Sequence, residues 1–284
     1  MNKLYIYVGC ALCSLLAVSC GSREQAPLEV MTFNIRLDAA SDSLNAWTHR
    51  KENAADMIRY YEPDIVGMQE VVHNQLTDLK ERLPQYTALG VGRADGKEKG
   101  EYCSLFFKTG RFDLLEQGNF ALSETPAEIG VKGWDAACER IATWAVLNDR
   151  KTGKKLFCIN THLDHLGEVA RREGAKLLLA KAQELAPGLP VILTGDFNGA
   201  PGSEPVRILT EGGMADSRAV SPVVYGPSWS FHDFGRLQGD ERVLLDYVFV
   251  SGPVRVNKYR VIGDKPETGY LSDHNPVLVS VTIE

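Results

Sequence analysis

Short apolar segments separated by polar, turn-rich stretches run through most of this chain. The segments are rich in Val, Ile, Phe and Leu and are bounded by Gly, Pro, Asn or Asp, which is typical of buried β-strands. The predicted strands cover residues 29–34, 65–70, 103–108, 141–148, 156–162, 191–196, 245–251, 254–262 and 277–283.

Three other stretches have the apolar period of an amphipathic helix, and each ends shortly before a proline, which cannot continue a helix. The periodic positions are Ala54, Ile58 and Tyr61; Leu76, Leu79 and Leu83; and Ala175, Leu178, Leu179 and Ala182 within residues 168–185. Many strands with few, scattered helices predict an α/β fold, a sandwich of two mixed β-sheets packed face to face with helices outside. No internal repeat or long linker interrupts residues 28–284, which favours one domain there.

The first twenty residues have a different pattern. Lys3 precedes an almost wholly apolar run over residues 4–18, and small residues then lead to Cys20. The run is shorter than the roughly 20 residues that cross the hydrocarbon core of a bilayer, so it is typical of an export signal. Because it ends on a cysteine, residues 1–20 resemble a bacterial lipoprotein signal. We therefore expect an exported envelope protein, anchored in the membrane by a lipid on Cys20 and tethered by residues 21–27, with simple secretion as the alternative.

Composition and charge are those of a folded, acidic protein. The 284 residues are 44% hydrophobic and 24% charged, with 31 basic against 37 acidic side chains. Without residues 1–20 there are 30 basic and 37 acidic side chains, a net charge of −7. These values exclude collagen-like and disordered chains and argue against a nucleic-acid coat protein, whose binding depends on Lys and Arg. The cysteines beyond Cys20 are odd in number and form no CxxC pair, which predicts free core thiols at Cys103, Cys138 and Cys158.

Polar residues collect at the ends of several predicted strands, where the loops of a rigid scaffold carry reactive groups. The segments are TFNIR at 32–36, GMQE at 67–70, NTHLDH at 160–165, TGDFN at 194–198 and LSDHNP at 271–276. Taken singly, an Asn or Asp at such a place usually makes a turn. Taken together, the carboxylates, histidines and amides indicate the chemistry of a hard divalent cation on an oxygen-rich substrate.

The ordered set TFNIR, QE, NTHLDH, GDFN and SDH resembles the endonuclease/exonuclease/phosphatase superfamily over residues 28–284. This superfamily includes pancreatic-type deoxyribonucleases, apurinic endonucleases, sphingomyelinases and inositol polyphosphate 5-phosphatases. The resemblance implies a four-layered α/β sandwich and hydrolysis of a phosphoester by in-line attack of an activated water. It also implies Mg²⁺ as the cofactor, with Mn²⁺ as an alternative.

The resemblance assigns roles around the implied metal. Glu70 resembles the principal metal ligand, Asn34 lies beside the metal and the phosphate, and Asp273 resembles a further carboxylate on the metal side. One or two carboxylates suffice for Mg²⁺, which keeps several waters. Asp196 matches the position that activates the attacking water, and Asn198 would orient Asp196, the water or the phosphoryl group.

Two histidine–acid pairs are implied as well. His274 would contact a phosphate oxygen or act as the base, with Asp246 holding its tautomer and favouring its charged form. His162 resembles a phosphate-contacting histidine that Glu101 orients, and Arg140 resembles a phosphate-binding arginine, for which a guanidinium is well shaped. Whether Asp196 or His274 takes the proton stays open.

The substrate is less determined than the reaction. Trp134 and Trp229 lie in aromatic loops that precede site segments, and they are expected either to stack on a base or sugar or to pack their loops. The acidic surface and the lack of an additional basic cluster favour a small or carbohydrate-linked phosphoester over a long polyanion. The alternatives are a secreted nuclease, for which nucleic acid is only a substrate, and a catalytically silent binding module. We expect a monomer.

Overall fold

The computed structural model describes Met1 and residues 26–284, which form two β-sheets with helices outside them. A seven-stranded sheet contains, in order, β10 (Val224–Tyr225), β12 (Val254–Val261), β13 (Val277–Ile283), β1 (Leu28–Asn34), β2 (Ile65–Val71), β4 (Tyr102–Lys108) and β3 (Tyr86–Leu89). A six-stranded sheet contains β5 (Phe112–Ala121), β6 (Ile141–Asp149), β7 (Lys154–His162), β8 (Val191–Asp196), β11 (Asp246–Ser251) and β9 (Ala215–Asp216). Both sheets are mixed, because β1–β2 and β7–β8 are parallel while most other pairs are antiparallel.

Helices cover the outer faces of the two sheets. They are α1 (Trp47–Tyr61), α2 (His73–Arg82), α3 (Glu168–Leu185), α4 (Glu204–Glu211) and the single turn α5 (Ser217–Val220), with 3₁₀ turns at Ala40–Asn45, Asp233–Gly235 and Gly239–Glu241. Ala54 and Ile58 of α1 pack with Met31 and Phe33 of β1 in one buried cluster. A larger cluster joins the facing sides of both sheets to α3. The predicted sandwich with helices outside is therefore confirmed.

The sequence pattern located the buried elements better than the edge elements. Each predicted strand is present with ends shifted by at most two residues, and α3 spans its predicted residues. The pattern missed β3, β5, β9, β10, α4 and α5. The edge strand β5 has a run of exposed residues in its middle, and β9 and β10 have only two residues each. None of these three strands therefore has a sustained apolar period in its sequence.

A buried polar network joins the two sheets behind their strand ends. Gln69 of β2 donates from Nε2 to Asn160 Oδ1 of β7 at 2.6 Å, and Thr194 of β8 donates to the same oxygen at 3.0 Å. The amide of Asn160 in turn donates to the backbone oxygens of Met68 and Ser104. Because buried amides are costly unless they are satisfied, these bonds fix how the two sheets meet.

The strand register brings the predicted motifs to one edge of the sandwich. Parallel β7 and β8 place His162 opposite Asp196, and antiparallel β11 places Asp246 opposite the same residue. In the other sheet, parallel β1 and β2 place Asn34 opposite Gln69, one residue before Glu70.

The expected signal peptide, Cys20 and most of the tether lie outside the described residues. Within residues 26–284, no helix has the length and apolar content that spanning a bilayer requires. Cys103, Cys138 and Cys158 are free thiols, as expected, but only Cys103 and Cys158 are buried, whereas Cys138 is half-buried at a cleft.

Candidate active site

A cleft of about 540 Å³ opens where these strand ends meet. It is lined by most of the predicted site residues, namely Glu70, Glu101, Arg140, His162, Asp196, Asn198, Asp273 and His274. Asn34 and Asp246 are fully buried beneath it and hydrogen bond to residues that line it. Residues separated by more than 200 positions in the chain are thus brought into one cavity.

Asn34 links the two carboxylates to which the sequence assigns metal binding and water activation. Its Nδ2 donates to Glu70 Oε1 and to Asp196 Oδ2, both at 2.9 Å. Its Oδ1 accepts the backbone N–H of Arg36 at 3.0 Å, which fixes the orientation of the amide. Asn34 therefore positions Glu70 and Asp196, whereas the sequence suggested direct contact with metal and phosphate.

His274 lies close to two carboxylates, those of Asp246, which is the expected partner, and of Asp196. Its Nδ1 lies 2.7 Å from Asp246 Oδ2, and its Nε2 lies 3.7 Å from Asp196 Oδ2. Burial lowers the pKa of His274, but the charges of Asp246 and Asp196 outweigh it and raise the pKa to about 10. Burial and the charge of Asp246 raise the pKa of Asp196 to about 7, against the opposing charge of His274. The proton of this group therefore resides on His274, next to a carboxylate poised to accept one.

His162 lies on the other side of Asp196, with 3.6 Å between Nε2 and Oδ2. Asn198 Nδ2 lies 3.0 Å from His162 Nε2, and the backbone N–H of Asn198 donates to Asp196 Oδ1 at 2.9 Å. Burial and the charges of Arg140 and Arg93 hold the pKa of His162 well below its ordinary value. His162 is therefore neutral, and Asn198 orients both it and Asp196.

Glu101 does not orient His162. Both of its carboxylate oxygens bind Arg93, at 2.6 and 2.8 Å, on the glycine-rich loop of residues 90–100. His162 Nδ1 has no hydrogen-bond partner among the described residues. The structure thus differs from the pairing of Glu101 with His162 that the resemblance implies, since the nearby guanidinium is a stronger partner for a carboxylate than a neutral imidazole.

Two of the three guanidinium nitrogens of Arg140 contact neighbouring side chains, and the third has no partner among the described residues. It is 4% exposed, its Nε donates to Asp164 Oδ2 at 3.2 Å, and its Nη2 lies 3.0 Å from His165 Nδ1. Burial raises the pKa of Asp164. Hydrogen bonds from three backbone N–H groups and the charge of Arg140 have the larger effect and hold the pKa of Asp164 far below its usual range. Arg140 Nη1 is buried without a partner in the described chain, as a group reserved for an anion would be.

The two tryptophans lie away from the lining of the cleft. Trp134 is half-buried in its loop, where its backbone N–H donates to the Glu124 carboxylate. Trp229 lines a smaller neighbouring cavity of about 220 Å³ and carries the Arg242 guanidinium 4.6 Å from its ring centroid. Neither indole therefore lines the main cleft, although the cavity at Trp229 is also lined by His274.

Five residues that line the cleft have a left-handed backbone that non-glycine residues rarely adopt. Their φ angles are 57° at Arg36, 60° at Glu70, 44° at Asn198, 47° at Asp233 and 50° at Phe234. Such a conformation costs of order 1–2 kcal/mol per residue, and it persists where the surroundings hold it for function. The backbone thus marks Arg36 together with two of the predicted site residues.

Arg36, Asp42, Arg93, Phe231 and Arg236 also line the cleft without having been assigned roles from the sequence. A signal existed for Arg36, because it belongs to the TFNIR segment and stands two residues after Asn34. None existed for Arg93, whose loop has neither period nor motif.

The donor set fits a divalent cation of the Mg²⁺ type. Glu70 and Asp273 both lie within about 4 Å of Arg36 at one end of the cleft, and all their donors are oxygens. Burial, and the charge of Glu70, raise the pKa of Asp273, a repulsion that a bound cation would relieve. A second group, Cys138, Asp164 and His165, has metal-like spacing, but Arg140 already supplies its positive charge.

A two-sheet sandwich with carboxylates, amides and histidines at this edge defines a class, the metal-dependent phosphoester hydrolases. The chain belongs to the endonuclease/exonuclease/phosphatase family, whose model it matches over residues 31–274.

Two solved structures similar to this chain come from Bacteroides species. One is an endonuclease/exonuclease/phosphatase from Bacteroides vulgatus, 42% identical, with a TM-score of 0.89 over 91% of this chain and 100% of that one. Another is a mannosyl-6-phosphatase from Bacteroides thetaiotaomicron, 37% identical, with a TM-score of 0.85 over 89% and 99%. Among curated relatives, human nocturnin is 26% identical over 79% of this chain and 56% of its own. The chain spans about half the length of the curated relatives it matches.

Proposed function

We propose that this enzyme uses Mg²⁺ to hydrolyse the phosphate ester of a small, carbohydrate-linked molecule. The observation that carries the proposal is the similarity to a mannosyl-6-phosphatase, 37% identical over 99% of that protein. The net charge of −7 outside residues 1–20 agrees with it, since a long polyanion would be repelled.

Asp196 is the proposed general base. Its Oδ1 accepts the backbone N–H of Asn198 and its Oδ2 accepts Asn34 Nδ2, so both oxygens are held in place. A pKa raised to about 7 by burial suits proton transfer near neutral pH. His274 already carries a proton beside Asp246, which makes it a donor to a phosphoryl oxygen rather than the base.

The remaining side chains stabilise charge on the phosphoryl group. Arg140 Nη1 and His162 Nδ1, neither of which has a partner among the described residues, are the proposed donors to its oxygens. A divalent cation held by Glu70 and Asp273 would polarise a phosphoryl oxygen as a Lewis acid. The water attacks phosphorus directly, and no side chain becomes covalently bound.

A nuclease is the second candidate function. It is favoured by the curated relatives, which include the 3′-5′-exoribonuclease subunit Ccr4 of Emericella nidulans, 23% identical over 88% of this chain. Against it, the arginines that line the cleft are each paired with a carboxylate, which leaves little free positive charge to track a backbone.

A substrate panel tests the proposal. The protein lacking residues 1–20 is incubated with Mg²⁺ or Mn²⁺ and with phosphorylated sugars, sphingomyelin, plasmid DNA and RNA. We expect turnover of a sugar phosphate that EDTA abolishes, and a Glu70→Gln variant that needs at least about tenfold more metal. Rapid plasmid nicking with no release of phosphate from sugars would replace the proposal by the nuclease, and no turnover of any phosphoester would leave a silent binding module.

A lipid anchor on Cys20 is proposed for the location of the enzyme. The basic, apolar and small-residue order of residues 1–20 supports it. We expect cells fed radiolabelled palmitate to label the full-length protein and the Cys20→Ala variant to stay unlabelled and leave the membrane fraction. Label that persists in Cys20→Ala would refute the anchor.

A further inference from the structure

Arg36 stands at the metal end of the cleft, between the two carboxylates expected to hold the cation. Its Nη1 lies 4.0 Å from Glu70 Oε2, and its Nε lies 3.9 Å from Asp273 Oδ2. Two of its nitrogens bind Asp42, Nε at 2.9 Å and Nη2 at 3.0 Å. Nη1 hydrogen bonds to no residue in the described part of the chain, and the side chain is 29% exposed.

The surroundings of Arg36 hold it in this position. Its N–H donates to Asn34 Oδ1, and its carbonyl oxygen accepts Arg50 Nη2 and Gln75 Nε2, which fixes the left-handed backbone. The bidentate partner Asp42 is itself 7% exposed, so the guanidinium plane is set by a buried carboxylate. The hydrogen bonds that Arg36 donates to Asp42 also raise the pKa of Arg36 above its already high value, so the charge is permanent.

We infer that Arg36 occupies the place of a second cation beside Glu70 and Asp273, and that its free Nη1 binds the phosphoryl group of a phosphomonoester. Asp42 is then a positioning residue, which presents the third guanidinium nitrogen to the substrate. The inference rests on the proposed phosphatase function and adds the substrate class.

The charge of the substrate explains the selectivity. A phosphomonoester carries close to two negative charges at neutral pH and three terminal oxygens, whereas a diester carries one charge and two such oxygens. With one oxygen on the cation, the diester has one terminal oxygen left and the monoester has two, and the monoester carries one more negative charge, so Arg36 gains an additional acceptor and a stronger attraction only in the monoester. A permanent cation at 4 Å from the metal ligands also disfavours a second metal ion there by direct repulsion.

Binding measurements on Arg36→Gln test the inference without turnover. Inorganic phosphate is titrated calorimetrically into the metal-free protein, and Mn²⁺ binding is followed by electron paramagnetic resonance. Losing a charge-assisted hydrogen bond should weaken phosphate binding by about 10- to 100-fold. Removing the positive charge between Glu70 and Asp273 should tighten Mn²⁺ binding, by about 3- to 10-fold. A merely structural role would weaken both.

Kinetics on two nitrophenyl substrates provide the selectivity readout. We expect Arg36→Gln to lower kcat/KM about 10- to 100-fold for the phosphomonoester and about threefold or less for the diester. Arg36→Lys keeps the positive charge, but a single ammonium group cannot bind Asp42 and the phosphate at the same time. Its kcat/KM for the phosphomonoester should therefore lie between those of the wild type and Arg36→Gln. Arg150→Gln is the matched control, because Arg150 is also ion-paired with an aspartate, Asp113, but is 51% exposed and does not line the cleft.

The outcomes separate this inference from the proposed function. Phosphate affinity unchanged in Arg36→Gln, or two Mn²⁺ ions bound by the wild type, would overturn the role of Arg36 even in an active phosphatase. Equal losses for both ester types would overturn the selectivity. Should Arg36→Gln unfold, the same measurements on Arg36→Lys decide the matter. Failure of the wild type on every phosphomonoester would instead overturn the proposed function.

Discussion

Replacement of Asp196 by Asn should lower kcat/KM by about 1000-fold or more while leaving the protein folded. Asp196 lies between His162 and His274, and both its oxygens are fixed by amide donors. The amide of Asn has the same shape but cannot accept a proton, so the water loses its base. Loss of a positioned general base costs 10²–10⁴-fold, and here it also removes the counter-charge of His274.

Steady-state kinetics on the best substrate of the panel, with circular dichroism and thermal melting, check this prediction. Asp113→Asn is the matched control, since Asp113 is a surface carboxylate paired with Arg150 and 44% exposed. It should retain wild-type activity. An Asp196→Asn enzyme within about tenfold of wild type would assign the base elsewhere, and His274 would be the next candidate.

Replacement of Gly67 by Ala should destabilise the fold by about 3 kcal/mol, a shift of about 6–12 °C in the melting temperature. A Cβ at Gly67 would collide with Thr194 Oγ1 and lie 2.5 Å from Asn160 Oδ1. Neither group can move freely, because Asn160 accepts Gln69 Nε2 and donates to two backbone oxygens of the other sheet. The methyl group therefore forces the sheets apart or breaks buried hydrogen bonds.

Urea and thermal unfolding measure the effect on Gly67→Ala. The control is Gly110→Ala, where a Cβ would meet no atom within 4 Å, and its stability should change by about 0.5 kcal/mol or less. An equally stable Gly67→Ala protein would mean that the sheets tolerate a wider separation than the network implies. Activity of the folded fraction should also fall, since the same network positions the strands that carry the site.

The sequence predicted the buried strands, the three long helices and the fold class from periodicity, because long apolar faces are dictated by burial. Edge elements such as β5 and α4 were missed, since half-exposed positions carry no period. The ordered set of motifs predicted many of the residues that line the cleft. The expected contact of Asp246 with His274 is present, at 2.7 Å.

Partners that depend on distant loops could not be predicted in this way. Glu101 is bound by Arg93, and the Asn34 oxygen is taken by the Arg36 N–H, although the sequence suggested His162 and the metal as their partners. The type of a residue specifies only which hydrogen bonds it can make. Its actual partner depends on the tertiary geometry, in which a difference of about an ångström makes or breaks the bond.

The sequence by itself determined the strands, the acidic charge and the set of carboxylates, amides and histidines that indicate phosphoester hydrolysis. Only the tertiary structure decided which of them touch: that Asn34 joins Glu70 to Asp196, that His274 holds its proton between two carboxylates, and that Arg36 stands beside the metal ligands. The reason is physical. Burial follows from local periodicity, whereas the pairing and pKa of buried groups depend on strand register and on neighbours that are remote along the chain.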